Sequence, residues 1–302
     1  LPNLSRRLGN SRTILGVRPF QDGSKDFYGF ELDIDPDEVT PDRTTHAFPK
    51  IFTMAADQGI RTFEVRMVEA KRFPVVEASA WDRMKRYGAE FGIDFTADSP
   101  GLFKVALHSD LLRFHTAELL TMSLELAERL EVGRLITFGV ERSPLDAESD
   151  FGRVVDLIGE AVDVAAARGF DVLLENIPGS WADTGENCLR ILEAVGRSSF
   201  GYVWDTGNLY EAEARHFRTS YELLRPHIRD VHLKDGSIVD GRMVWQRFGT
   251  GETDIAGQVE TLRRDGYTGS LTVEAKCEPH EDEDFIESVG YLNGLLAVPA
   301  GV

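Results

Sequence analysis

The sequence predicts an α/β protein, a single-domain (β/α)8 TIM barrel, and three observations support this fold class. Eight short apolar stretches alternate with helical ones, several of the apolar stretches end on a carboxylate or a histidine, and the length is 302 residues. Alternating strands and helices are typical of a parallel sheet, and eight strands are the number that closes such a barrel. One barrel of about 250 residues with insertions accounts for the whole chain.

The predicted strands are short runs of apolar and β-branched residues. They cover residues 13–19, 61–67, 92–98, 134–140, 170–176, 200–205, 229–235 and 270–276. Apolar residues at helical spacing predict helices between them, most clearly over 116–132, 152–169 and 184–196. Residues 1–46 hold the first strand and a long acidic loop that we expect over the barrel mouth, and residues 47–302 form the rest.

Composition and charge exclude several classes of partner. A net charge of −18 is unsuited to a nucleic-acid backbone or an anionic membrane surface. No apolar run approaches the roughly 20 residues of a membrane span, and the first ten residues contain no apolar signal-peptide core. Cys188 and Cys277 form no CxxC motif. We therefore predict a cytoplasmic protein with neither a nucleic-acid nor a membrane partner.

Four of the predicted strands carry an ionisable residue at or near their carboxyl ends. These residues are Glu175, Asp205, His232 and Glu274. In a (β/α)8 barrel such positions share one mouth, so the side chains can converge. Three carboxylates and an imidazole are costly to bury together unless a cation compensates them, and this donor set suits Mn²⁺, Mg²⁺, Co²⁺ or Zn²⁺. The alternative is that each residue is a hydrogen-bonded polar group at a strand end.

The same segments resemble a known family. "LLENIP", "WDTGN", "VHLKD", "FGTGETDI" and "LTVEAK" are similar, in order and spacing, to motifs of the xylose isomerase-like TIM barrels, part of the AP endonuclease family 2 superfamily. The resemblance extends from about residue 47 onward. It implies that the four residues above bind one cation, with Mn²⁺ preferred. It also implies that Glu175 and Glu274 are the catalytic acid/base pair.

The resemblance implies chemistry on a sugar or keto-sugar substrate. A metal-bound carbonyl acidifies the neighbouring carbon, and two flanking carboxylates can remove and return a proton through an enediolate. This mechanism predicts an isomerase or epimerase. If the intermediate instead expels a leaving group, the same site is a lyase, as in inosose dehydratases or enzymes that cleave 3-oxo-glycosides. The metal motif alone does not separate these outcomes.

Two positions depart from the ketose 3-epimerases of this group. Asn208 stands where they carry a histidine, and Asp240 stands where they carry a substrate-binding arginine. These differences argue against a free-ketose 3-epimerase. Gly249 and Gly251 in "GTGETD" could admit a phosphate, although a GxG leading into Asp254 is also typical of a turn and a helix N-cap.

Five further residues are candidates for substrate binding. Lys234 shares strand parity with His232, and Arg66 lies at the end of the strand over 61–67 with Glu64 as an alternative partner. Asn208 follows Asp205, His108 follows the strand over 92–98, and Trp181 lies on a mouth-side loop where it could stack on a sugar ring.

Other functions deserve comparison with the enzymatic one. An apurinic endonuclease of this superfamily needs additional metal-binding histidines, and the predicted strands over 61–67 and 92–98 end without them. A non-catalytic subunit is the other alternative, because barrels of this type assemble with partner chains. The intact acid/base positions favour an enzyme, either a homo-oligomer or one joined to a partner subunit.

Overall fold

The structure is a computed structural model that describes residues 47–68, 71–72, 74, 78–214, 216–274 and 281–297. The predicted first strand over 13–19 and the acidic loop after it lie outside the described residues, so the division at residue 46 stays a prediction.

The described strands and helices alternate as the sequence predicts. The strands are β1 (Thr62–Val65), β2 (Met67–Val68), β3 (Lys71–Arg72), β4 (Asp94–Leu102), β5 (Arg134–Phe138), β6 (Asp171–Glu175), β7 (Phe200–Asp205), β8 (Ile228–Leu233), β9 (Asp235–Val239), β10 (Arg242–Gln246) and β11 (Leu271–Val273). The helices are α1 (Ala47–Asp57), α2 (Ala78–Phe91), α3 (Leu112–Phe114), α4 (Leu120–Leu130), α5 (Phe151–Ala167), α6 (Gly185–Val195), α7 (Thr206–Glu213), α8 (Arg218–Leu224), α9 (Ile255–Arg264) and α10 (Glu281–Ala297).

Seven strands form one sheet in the order β1-β4-β5-β6-β7-β8-β11, which is chain order. Every neighbouring pair is parallel. These seven strands correspond to seven of the eight predicted ones. Because the strands are parallel, their carboxyl ends lie at the same edge, and the register places Asp205 directly beside His232.

The sheet is curled so that its two ends meet on the inside. Glu64 on β1 accepts a hydrogen bond from the hydroxyl of Thr272 on β11 at 3.1 Å, and it contacts His232 on β8 at 3.0 Å. All three side chains are fully buried. Such contacts between first and last strands require a barrel-like closure.

Two apolar layers follow from strand parity. Ala97, Ile136, Leu173 and Val203 form a small buried cluster of their own. A much larger cluster packs the other face of the sheet against the helices. Successive residues of a strand point to opposite faces, so the inward Leu173 predicts an inward Glu175. Trp204, of opposite parity to Asp205, lies in the outer cluster as expected.

Helix boundaries follow the predicted capping chemistry. The Thr184 side chain accepts a hydrogen bond from Asn187 N at the start of α6, and Gly196 ends that helix with φ 58°. The helix predicted over 116–132 differs, because a π-helical turn, His115–Leu119, precedes α4. That turn buries His115, whose Nδ1 accepts the Phe103 N–H at 2.9 Å. Among the described helices, none is both long and apolar enough to cross a membrane.

A two-stranded antiparallel hairpin, β9 and β10, follows β8 directly at the carboxyl edge of the sheet. We call residues 235–246 the mouth hairpin. Its turn includes Asp240, which is exposed and has φ 51°. The hairpin therefore extends the barrel at the edge where the strand-end residues lie.

Candidate metal centre

The four strand-end residues lie together inside the barrel. Glu175 ends β6, Asp205 ends β7, His232 lies near the end of β8, and Glu274 follows β11. One ligand atom from each lies within 4.8 Å of the others, and all four side chains are buried. The structure thus brings the predicted set to a single point.

The donor chemistry of this cluster fits a divalent cation. His232 Nδ1 and Glu175 Oε2 are buried and have no hydrogen-bond partner among the described residues. His232 Nδ1 lies 3.6 Å from the other Glu175 oxygen, Oε1, too far for a hydrogen bond. Buried polar atoms without partners are costly, and a cation coordinated between these atoms would satisfy them.

Lys234 supplies positive charge to the same cluster. Its Nζ lies 2.6 Å from Asp205 Oδ2, 2.5 Å from Glu274 Oε2 and 3.8 Å from Glu175 Oε1. Its side chain is 2% exposed. The inward orientation predicted from its parity with His232 is correct, and the ammonium lies among the carboxylates.

Two asparagines hold the backbone of Asp205 and the carboxylate of Glu175, and they explain the Glu-Asn end of β6. Asn176 Oδ1 accepts the Asp205 N–H at 3.0 Å, and Asn176 Nδ2 donates to the Asp205 carbonyl at 3.1 Å. Asn208 Nδ2 donates to Glu175 Oε1 at 3.3 Å and to the Asn176 carbonyl at 2.9 Å. Asn208, a predicted substrate-binding residue, therefore contacts a predicted ligand directly.

The charges around the site shift the pKa values of its residues in different directions. Burial raises the pKa of Glu175, but His232 and then Lys234 outweigh it and lower that pKa to about 2. Burial raises the pKa of Asp205 to about 7, although Lys234 opposes the rise. Burial lowers the pKa of His232, yet two facing carboxylates raise it well above its ordinary value. Glu175 is thus held in its ionised form.

Arg66 lies beside the cluster. It is 2% exposed, and its guanidinium NH1 is 3.6 Å from Glu274 Oε1. From the sequence, Glu64 was the alternative partner of Arg66. Among the described residues, the carboxylate that lies within 4 Å of the Arg66 guanidinium is that of Glu274. Arg66 is therefore placed to orient a predicted catalytic carboxylate.

His108 and Trp181 meet at a third residue, Asp146, on the loops that follow β4, β5 and β6. His108 Nε2 lies 3.6 Å from Asp146 Oδ1, and Trp181 Nε1 donates to Asp146 Oδ2 at 3.3 Å. The His108 side chain is 40% exposed, whereas Trp181 is 2% exposed. The Arg142 guanidinium covers the indole at 4.1 Å. Stacking of Trp181 on a sugar ring stays a prediction.

The glycine-rich loop of "GTGETD" binds a carboxylate from its own chain. Asp235 Oδ2 accepts the N–H groups of Gly249 at 2.8 Å and Gly251 at 3.1 Å. Asp235 Oδ1 accepts the hydroxyl of Thr253 at 2.7 Å. The Asp254 side chain caps the N-terminus of α9, which confirms the helix N-cap interpretation of this motif. These loop amides are occupied by Asp235 and are not free for a phosphate.

Sequence reasoning missed several residues that support the site. The sequence indicates Glu64 only as a partner of Arg66, and its place on the strand over 61–67 is the one signal of a role near the cluster. For Asn176 the signal is its position directly after a predicted ligand. Asp146 and Asp235 gave no local signal, because their partners come from distant loops.

Comparison with known proteins identifies relatives. The chain matches a family model described as xylose isomerase-like TIM barrel over residues 52–295. Four inosose dehydratases match in sequence. That of Geobacillus thermodenitrificans is 25% identical over 162 residues, or 49% of this chain and 54% of the relative. The chain spans about half the length of the curated relatives it matches.

Solved structures share the fold at lower identity. A xylose isomerase-like TIM barrel protein from Mycobacterium smegmatis in complex with magnesium has a TM-score of 0.69 and 15% identity, covering 88% of this chain and 94% of its own. A 3-keto-D-glucoside 4-epimerase from E. coli has a TM-score of 0.64 and 15% identity, covering 90% and 100%. These likenesses establish the fold.

Proposed function

The chain belongs to the xylose isomerase-like TIM barrel family, and from that premise we propose that it is a divalent-metal-dependent sugar isomerase or epimerase. The reaction begins with removal of a proton from the carbon next to a carbonyl of a sugar or keto-sugar. The observation that carries this proposal is the convergence of four buried ligand atoms from four strands within 4.8 Å.

Glu175, Asp205, His232 and Glu274 would hold the cation. We expect Mn²⁺ first, with Mg²⁺, Co²⁺ and Zn²⁺ as alternatives. When bound, it supplies Lewis-acid polarisation of a carbonyl oxygen. His232 Nδ1 and Glu175 Oε2, which have no hydrogen-bond partner within the described part of the chain, support this assignment.

Glu175 and Glu274 would move the proton. They come from β6 and from the end of β11, with β7 and β8 between them in the sheet, so they approach the centre from different sides. The lowered pKa of Glu175 keeps its carboxylate ionised, which is the form from which a general base acts. Arg66 beside Glu274 would orient the second carboxylate, which returns the proton in an epimerisation.

Three buried polar side chains would bind the substrate close to the reacting carbon. Lys234 and Asn208 contact Glu175, and Arg66 contacts Glu274, so each can reach a substrate oxygen next to an acid/base group. His108 and Trp181 would act further out, on the loops at the mouth. A cytoplasmic location and assembly as a homo-oligomer or with a partner subunit stay predictions from the sequence.

Elimination from a keto-sugar is the second candidate, and the inosose dehydratase relatives favour it. The same first proton removal leads to elimination if an acid protonates a leaving group on the neighbouring carbon. Lys234, whose pKa is raised by the surrounding carboxylates despite its burial, would stay charged beside that oxygen. His108 is the alternative proton donor.

Separate Glu175→Gln and Glu274→Gln variants test the proposal. They are assayed in D₂O with Mn²⁺ against a panel of ketoses, keto-inositols and 3-oxo-glycosides, with the exposed Glu260→Gln variant as the control. An isomerase or epimerase should lose about 10²- to 10⁴-fold in turnover with either variant, and its product should carry deuterium at the carbon that lost its proton.

Other results have distinct meanings. If one glutamate matters far more than the other and the product is unsaturated, elimination is the reaction. If both variants retain their bound metal and full turnover, neither carboxylate moves the proton and the proposal is wrong.

A further inference from the structure

Glu64 lies behind His232, on the side of the imidazole away from Glu175. Glu64 Oε2 is 3.0 Å from His232 Nε2, and His232 Nδ1 is on the Glu175 side. Both side chains are fully buried. The two ring nitrogens therefore have different surroundings: one meets a carboxylate of β1, and the other is directed into the four-residue cluster.

A carboxylate next to Nε2 determines where the imidazole carries its proton. An ionised carboxylate only accepts hydrogen bonds, so the Nε2 atom that contacts it must be the N–H donor. A histidine coordinates a cation as the neutral imidazole, so the cation takes the place of the proton on the other nitrogen and binds its lone pair. Here that nitrogen is Nδ1, which has no hydrogen-bond partner among the described residues. The hydrogen bond thus leaves the correct nitrogen free to coordinate.

Glu64 is itself held in place by a residue of a third strand. Thr272 Oγ1 on β11 donates to Glu64 Oε1 at 3.1 Å, so both carboxylate oxygens of Glu64 are engaged. The orientation of the imidazole is consequently set by a chain of contacts from β11 through β1 to β8. These three strands are brought together only by the closure of the sheet.

We propose that Glu64 is a positioning residue that holds His232 with Nε2 protonated and Nδ1 directed at the cation, and thereby sets the affinity of the metal site. The inference rests on the metal site of the proposed function and goes beyond its four ligands. Groups that orient a ligand histidine contribute about 10- to 100-fold to metal affinity.

The test measures metal affinity apart from catalysis. Wild type and variants are stripped with EDTA, dialysed, and titrated calorimetrically with Zn²⁺ and Mn²⁺ at one fixed pH. Glu64→Leu removes the acceptor, and we expect about 10- to 100-fold weaker binding. Glu64→Gln keeps an amide oxygen that can accept a hydrogen bond from Nε2–H, so its metal affinity should fall less. Thr272→Val frees Glu64 and should fall between wild type and Glu64→Leu.

A matched control separates positioning from general damage to the barrel. Thr137 on β5 is also a buried strand threonine, and its hydroxyl donates to the Leu102 carbonyl at 3.3 Å rather than to Glu64. Thr137→Val should keep wild-type metal affinity. Unfolding curves recorded in EDTA establish which variants are folded. If Glu64→Leu does not fold, Glu64→Gln and Thr272→Val decide the question.

A spectroscopic measurement reports the imidazole directly. The protein is labelled with ¹⁵N-histidine, loaded with diamagnetic Zn²⁺, and assigned with a His232→Gln variant among its 7 histidines. Wild type should show a slowly exchanging Nε2 proton and a metal-shifted Nδ1, and the Nε2 proton should exchange faster in Glu64→Leu.

Folded Glu64→Leu and Glu64→Gln variants with wild-type affinity and an unchanged Nε2 proton would overturn the inference and leave the metal site standing. A wild-type protein that binds no cation would overturn the proposed function as well.

Discussion

Replacing Asp235 with asparagine should weaken the mouth hairpin and the glycine-rich loop together. Asp235 is 3% exposed, and its carboxylate joins the start of β9 to the loop before α9. Oδ2 accepts two N–H groups, from Gly249 and Gly251, while Oδ1 accepts the N–H and hydroxyl of Thr253 and the N–H of Gly236. Both oxygens therefore meet only donors.

An asparagine cannot match this arrangement in either orientation. Its NH₂ group must replace Oδ1 or Oδ2, and in both cases a donor then faces at least two donors. Hydrogen bonds to charged groups contribute about 1.5–3 kcal/mol each, so losing two sets an upper value of about 6 kcal/mol. Gly249 is exposed and Gly251 half-buried, so water can replace part of the loss. We expect the free energy of unfolding to fall by about 2–4 kcal/mol.

Equilibrium unfolding in urea measures this change. The matched control is Asp240→Asn, the same chemical change on the exposed turn of the same hairpin, where asparagine tolerates the positive φ. The control should stay within about 0.5 kcal/mol of wild type. If Asp235→Asn is as stable as the control, the carboxylate does not hold the loop as described.

Two further predictions concern stability. In Gly251→Ala the new methyl group would overlap the Asp235 carboxylate, and we expect unfolding to become easier by about 1–3 kcal/mol, whereas Gly152→Ala on α5 has open space around it and should not destabilise. The second prediction concerns Asp230, whose pKa is raised by burial to about 8 although Arg134 opposes the rise. Above about pH 4 an unfolded chain has lost this proton, whereas the folded protein still holds it. The free energy of unfolding should therefore fall from pH 5 to pH 8, measured by urea unfolding with EDTA present. It should fall less in Asp230→Asn, and an equal fall in wild type and variant would contradict the assignment.

Strand order and side-chain parity were predictable because they depend on neighbouring residues. Asp205 and Trp204 are adjacent in sequence and point to opposite faces, which alternation alone predicts. The convergence of Glu175 and Asp205 followed from parallel strands that share one edge. Thr184 and Gly196 mark helix ends through local backbone chemistry.

Contacts between distant segments were not predictable in the same way. Glu64 is 168 residues from His232, and their contact depends on the curvature that closes the sheet. Trp181 appeared available to a ligand because it lies on a mouth-side loop, yet the loop conformation buries its ring beneath Arg142. Asp235 ends the predicted strand over 229–235, and no local pattern indicates that the glycine-rich loop folds around its carboxylate. Loop geometry, which no periodicity encodes, decides these cases.

The most direct test of the proposed metal centre is the metal content of the purified protein. Wild type and a His232→Gln variant are equilibrated with Mn²⁺, passed through a desalting column and analysed by elemental mass spectrometry, with the exposed His216→Gln variant as the control. We predict close to one cation per chain in wild type and in the control, and strongly reduced occupancy in His232→Gln. Absence of bound metal from wild type, or equal occupancy in all three proteins, would contradict the account.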